Sequence, residues 1–238
     1  MTFGCAHNLA SDAVGWGLAQ AEIFVIHGSN IGPANAVVAT PDPNNHYPTL
    51  LGGVQVLIHG HAVPLLYVQA SEIHGVAPFY LFGGPADIVV QYNGQSAPPL
   101  DAGQAAYNPA IFTIGNQGAI LNQDGTVNTP SNPAKLGSVV SIYATGTGGL
   151  PVAMTEGLIV PLPPPFFTLA QAPSVTFAGT PGKVLWAGAA PGLIGGVTQI
   201  NVQLPDTLPP IVTLLTPLPV SIAMGGNGSP PAFISVMQ

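Results

Sequence analysis

All six histidines of this chain fall in its first third: His7, His27, His46, His59, His61 and His74. His59 and His61 stand two apart, and on a regular strand such residues share a face where two imidazoles can hold a metal. Glu72 or His74 would complete the set. Gly60 between them marks a hairpin corner, which sends the two rings apart into solvent, and no cysteine cluster or EXXH pattern accompanies them. In "NQDGTVN", Asn122, Asp124, Thr126 and Asn128 alternate like the opening of a calcium loop. The bidentate glutamate that should follow is missing, so the stretch reads as a hydrogen-bonded Asp-Gly turn. His59, His61 and Asp124 are the metal candidates that remain, and no cofactor is implied.

Catalysis finds little support. No Gly-x-Ser-x-Gly elbow occurs, the second half of the chain has no histidine, and no spacing singles out a pair among the nine acids. "ATGTGGL" is glycine-rich but lacks the lysine of a phosphate-binding loop. No catalytic residue is assigned, and the chain reads as non-enzymatic.

The elements that must carry these residues follow from composition. Charged residues make up 5 % of the 238, against roughly 25 % in average soluble domains. With 30 Gly and 27 Pro, long helices are penalised and short strands joined by tight turns are favoured. The hydrophobic content of 47 % and mean hydropathy of +0.46 are too high for disorder. Net charge is −7, with Lys135 and Lys183 as the basic side chains, which disfavours nucleic acid and anionic membrane surfaces alike. No apolar run reaches the about 18 residues of a spanning helix. Cys5 is the single cysteine, so no internal disulfide can form.

An internal repeat organises the chain. "EIFVIHGSNIG" (Glu22 to Gly32) aligns without gaps on "SVVSIYATGTG" (Ser138 to Gly148). "VLIHGHAVPLLYV" (Val56 to Val68) matches "VTFAGTPGKVLWA" (Val175 to Ala187), and "SEIHGVAPFYL" (Ser71 to Leu81) matches "TQINVQLPDTL" (Thr198 to Leu208), in the same order. The chain is thus expected to hold two copies of one module, residues 1–107 and 108–238, each with several short strands. Val54, Val56 and Ile58 alternate before the His-Gly corner, and Asn93-Gly94 supplies what a type I′ turn requires. The expected fold is all-β: two tandem immunoglobulin-like β-sandwiches.

Four stretches carry a family resemblance: "EIFVIHGSNIGP", "VPLLYVQASEIHGVAPF", "GAILNQDGTVNTPSNPAKLGSVVSIYATGTG" and "LWAGAAPGLIGGVTQINVQLP". They resemble the uncharacterised C-terminal module of secreted proteins from Solibacter-type acidobacteria. The resemblance implies tandem IPT/TIG-like immunoglobulin folds, an extracellular or cell-surface setting and no known catalytic residues.

One stretch stands outside the repeat. "LPVAMTEGLIVPLPPPFFTLAQAP" (Leu150 to Pro173) is an insertion in the second copy, apolar yet too rich in proline for a core strand. It reads either as a loop packed over the edge of its own sandwich or as an intermolecular contact through Leu158, Ile159, Phe166 and Phe167. The latter, with the scarcity of charge, leads to a self-assembling extracellular subunit of a filament or surface layer. The alternative is a module that binds a cell-surface glycan or polysaccharide. Sugar platforms expose aromatic rings; Trp186 is expected in a core strand, which leaves Trp16. Asn227-Gly228-Ser229 fits a glycosylation sequon but reads first as a turn.

Overall fold

The computed structural model describes residues 1–13, 17–80, 86–149, 154–162, 166–209 and 217–237. Every regular element among them is a strand. No helix of the described residues is long and apolar enough to cross a membrane.

The first ten strands are β1 (Thr2–Asn8), β2 (Ile23–Ser29), β3 (Val37–Val38), β4 (Val54–Ile58), β5 (His61–Ala62), β6 (Leu65–Val68), β7 (Glu72–Val76), β8 (Ala86–Tyr92), β9 (Gln95–Ser96) and β10 (Leu100–Ala102). They make two sheets, in the orders β1-β2-β7-β6-β3 and β10-β8-β4-β5, with β9 paired on β8. Alternation drives this arrangement: along β4 the residues Val54, Val56 and Ile58 are buried while Gln55 and Leu57 face outward. Phe24, Ile26 and Ile73 of one sheet meet Val54, Val56, Ile88 and Val90 of the other in one core. The strand order is that of an immunoglobulin sandwich, with β1, β2, β7 and β6 as A, B, E and D facing β4, β8 and β10 as C, F and G.

The remaining strands are β11 (Ala110–Ile111), β12 (Thr113–Ile114), β13 (Gln117–Gly118), β14 (Ile120–Leu121), β15 (Ala134–Lys135), β16 (Val139–Thr145), β17 (Ser174–Phe177) and β18 (Thr180–Pro181). β19 (Lys183–Ala189), β20 (Thr198–Gln203), β21 (Leu218–Met224), β22 (Asn227–Gly228), β23 (Ala232–Ile234) and β24 (Val236–Met237) complete the chain. The B-E-D row recurs as β16-β20-β19 and the G-F-C row as β23-β21-β17. Ile142, Ile200 and Val202 pack there against Phe177, Val220 and Ile222.

Each repeated stretch therefore occupies the same place in both sandwiches: strand B, the C-to-D hairpin and strand E. The backbone repeats too. His59-Gly60 and Ala178-Gly179 turn between equivalent strands, with φ of 51° and 77° against 45° and 83°. Asn93-Gly94 and Gly225-Gly226 do likewise, at 49° and 78° against 55° and 88°. Paired positive φ values are those of type I′ hairpin turns.

The two sandwiches share a third apolar cluster. Ala21, Ile23, Val76 and Phe79 of the first meet Met154, Val160, Ala189 and Ile194 of the second. Polar bonds lock the joint. Ile23 N donates to Thr145 Oγ1 at 2.8 Å, whose hydroxyl donates to Gly196 O at 2.8 Å. Asn8 Nδ2 donates to Asn108 O at 2.7 Å, and Asn108 Nδ2 reaches both carboxylate oxygens of buried Glu22 at 3.1 and 3.2 Å.

Candidate functional site

The outer face of the sheet β16-β20-β19 carries an open cleft of about 200 Å³ lined by Phe166, Trp186, Pro191, Gln199 and Asn201. Its construction begins with a bulge. β19 pairs with β20 as Val184↔Val202 and then Trp186↔Asn201, so Leu185 is the extra residue. The bulge moves the parity of the strand by one. Ala187, not Trp186, enters the core, and Trp186 is left half-buried on the outside. The expectation of Trp186 in the core is corrected here: an uninterrupted alternation would have put it inside, and the bulge turns it out.

Phe166 comes to Trp186 because the insertion folds back on its own sandwich. Leu169 N donates to Ala187 O at 2.9 Å and Ala189 N to Phe167 O at 2.8 Å, which adds a short strand segment to the β19 edge. The Phe166 and Trp186 rings then meet edge to face, centroids 6.3 Å apart at 72°. Such a pair holds both rings in place while one face of the indole can take an apolar partner.

The floor of the cleft is amide. Gln199 and Asn201 are half-buried, on alternate residues of β20 facing outward. Asn201 Oδ1 accepts from Ser141 Oγ at 2.9 Å and from Gln199 Nε2 at 2.8 Å. That assignment uses both lone pairs of Asn201 Oδ1 and leaves its Nδ2 as a donor and Gln199 Oε1 as an acceptor for an incoming group. Tyr143, on the same face of β16, has its hydroxyl pKa pushed up by burial.

The first sandwich has a counterpart. β6 carries a bulge at the equivalent step, Leu65↔Gly75 then Tyr67↔His74, so Tyr67 and His74 stand where Trp186 and Asn201 stand in the second. There the site is closed on itself. Tyr67 stacks on His74 with centroids 4.9 Å apart, its hydroxyl donates to Gln69 Oε1 at 2.7 Å, and His74 bonds Glu72.

The residues expected from sequence lie elsewhere. His59 and His61 are exposed at the β4-β5 corner, and His59 Nε2 meets the Gln104 amide at 2.8 Å. Glu72 and His74 pair with each other rather than with them. Asp124 Oδ1 accepts from Thr126 N at 3.0 Å and Thr126 Oγ1 at 2.6 Å, and these bonds lower its pKa. Asn128 is fully buried and joins Ser235, Gln117 and Asn122. The calcium-like stretch is thus a structural knot whose polar groups bond one another.

In the insertion, Leu158 and Ile159 are half-buried and bound within the chain: Ile159 N donates to Asn45 O at 2.9 Å and Gly195 N to Leu158 O at 2.9 Å. Phe167 packs on the joint cluster, and Phe166 is 52 % exposed. Among the described residues of the segment, Phe167 and Leu169 bond the β19 edge of their own sandwich, whereas Gly157 and Ile159 bond Tyr47 and Asn45 of the first sandwich. Trp16 lies outside them. Sequence reasoning missed Gln199 and Asn201; the polar residues alternating with Ile200 in "TQINVQ" were the available signal.

A larger cleft of about 380 Å³ opens beside the joint, lined among others by Gln104, Tyr107, Thr147 and Gln171. Its Tyr107 ring packs against Gly225 and Gly148, where an added Cβ would come within 2.4 and 2.8 Å of it. That ring belongs to the joint.

No protein-family model and no curated protein matches the chain. Among solved structures it is similar to the gamma-CGTase of alkalophilic Bacillus clarkii, 14 % identical with a TM-score of 0.30, over 95 % of this chain and 26 % of that one. It is also similar to SGBP-B of the Bacteroides ovatus mixed-linkage glucan utilization locus, in complex with a mixed-linkage heptasaccharide. There the identity is 12 % and the TM-score 0.32, over 94 % and 44 % of the two chains. SGBP-B from a complex xyloglucan utilization locus in Bacteroides uniformis is 12 % identical, with a TM-score of 0.29, over 98 % and 49 %. The chain spans between about a quarter and a half of the solved chains it matches. At these identities no residue role passes from those proteins to this one.

Proposed function

We propose that the chain is a non-catalytic glycan-binding module of an extracellular or cell-surface protein, with the Phe166–Trp186 cleft as its sugar site. The observation that carries this reading is an indole turned out of the core by a bulge, beside a spare amide donor and a spare amide acceptor. A sugar ring presents C–H faces, which suit an aromatic surface, and hydroxyls, which need one donor and one acceptor each placed at the rim. Nothing in the cleft is charged, so the substrate class is a neutral polysaccharide. The secreted setting rests on the resemblance to Solibacter-type modules.

Affinity electrophoresis of the full chain through gels holding neutral polysaccharides, β-glucans and xyloglucan first, tests the reading. Retardation is expected, with Trp186→Ala and Asn201→Ala each weakening binding about tenfold or more. Retardation that survives Trp186→Ala, or none across the panel, refutes it.

A second reading, the self-assembling subunit, keeps one observation in its favour: Leu162, Phe166, Leu185 and Leu193 are all exposed in the insertion and around β19. Against it, the insertion covers the β19 edge, and a covered edge cannot add a neighbouring strand. Sedimentation at rising concentration separates the two, since self-assembly requires growing species that Phe166→Ala disperses.

A further inference from the structure

We infer that the first sandwich carries a divalent transition-metal site of zinc type, formed by His7, Asp12 and His27. The inference is independent of the glycan reading. His7 Nδ1 lies 3.2 Å and His27 Nε2 2.9 Å from the same oxygen, Asp12 Oδ1. The three potential ligand atoms all fall within 4.8 Å of one another, and among the described residues no other three His, Cys, Asp or Glu side chains do so. Ligands at about 2.0–2.1 Å from a tetrahedral zinc are roughly 3.3 Å apart, so the cluster needs only small side-chain movements to receive the ion. Two imidazoles and one carboxylate suit zinc and its first-row neighbours, not calcium, which prefers oxygen alone.

Strand register builds this site. β1 pairs with β2 as His7↔Val25, which makes His27 the diagonal neighbour of His7 on the same face, and the rings stand edge to face with centroids 5.6 Å apart. Asp12 returns from the turn after β1, where its N–H donates to Asn8 O at 2.8 Å and its φ is 48°. The hydrogen bond from His27, with a smaller contribution from His7, holds its carboxyl below the usual range against a slight burial. His27 and Asp12 are 45 % and 66 % exposed and His7 only 19 %, so an ion can enter from solvent while one ligand is anchored in the wall.

Calorimetric titration of the full chain with Zn²⁺ alone, in a Cys5→Ser background that removes the single thiol, tests the site. One equivalent is expected to bind, with the melting temperature raised. His27→Ala and Asp12→Asn should each lower affinity about tenfold or more, while His59→Ala with His61→Ala leaves it unchanged. Should either variant unfold, Co²⁺ added to the unsubstituted triad still reports, through the visible d–d bands of a four-coordinate nitrogen and oxygen site. No stoichiometric binding, binding indifferent to His27 and Asp12, or binding lost with His59 and His61 overturns the inference.

Discussion

Replacing Glu22 by glutamine should remove a loss of stability that the wild-type protein suffers as pH rises from about 5 to about 8. Glu22 is 1 % exposed at the joint between the sandwiches, where it accepts from Ala19 N at 2.9 Å and from the Asn108 amide. Burial pushes its carboxyl pKa up to about 8, against an ordinary value of 4.5, and the neutral donors Ala19 N–H and Asn108 offset only part of that rise. Between those two values the folded chain keeps a proton that the unfolded chain has released. Stability is therefore full below the unfolded pKa of 4.5 and declines as pH rises toward the folded value of about 8. Each pH unit in that window costs roughly 1.4 kcal/mol, so the whole window costs about 5 kcal/mol. For a chain of this size that is a fall of about 10 °C in melting temperature.

The Glu22→Gln variant keeps the shape of the protonated acid and cannot ionise. Its melting temperature, followed by circular dichroism at intervals from about pH 5 to about pH 8, should be flat. It should match the wild type at the acid end and exceed it at the alkaline end. The carboxyls of Asp12, Asp42 and Asp124 are lowered from 3.8 and lose their contribution only at pH below that value, outside this window. A wild-type chain equally stable throughout, or a Glu22→Gln variant with the wild-type slope, refutes the reasoning.

Two further substitutions probe the frame. Gly146 has φ of 71°, and a Cβ there would meet Asn108 O at 1.9 Å; Gly146→Ala should cost about 3 kcal/mol or more by forcing the joint apart, read as a lowered urea midpoint. Asn128 Oδ1 accepts from Ser235 N at 2.8 Å and Gln117 Nε2 at 3.1 Å, and its Nδ2 donates to Ser235 O and Asn122 Oδ1, both at 2.9 Å. Asn128→Ala strands the buried backbone groups of Ser235 and should cost about 3 kcal/mol, again measured by urea unfolding, whereas Asp124→Ala at the exposed turn should cost under about 1 kcal/mol.

Much of the fold was legible because its signals are local. Alternation of Val54, Val56 and Ile58 has the period of a half-buried strand, and Asn93-Gly94 has the backbone freedom that its turn uses. The repeat then placed strand B, the C-to-D hairpin and strand E twice, since equivalent spacing of apolar and turn residues yields equivalent strands. The sites were harder to read. Sequence spacing drew attention to His59 and His61, two residues apart, yet their corner leaves both exposed, while His7 and His27, twenty apart, meet across a register.

By itself, then, the sequence determined the class of the protein: short strands, paired copies of one sandwich, and too little positive charge for a polyanionic partner. Tertiary structure alone decided which side chains face outward and which distant ones meet. A single extra residue at Leu185 reverses the parity of everything after it in β19, and that shift is set by pairing with β20, not by the residues of β19. The insertion likewise folds onto β19 rather than away from it because the edge there offers carbonyls and N–H groups to bond, at Ala187 and Ala189. Trp186 meets Phe166 only as the outcome of both.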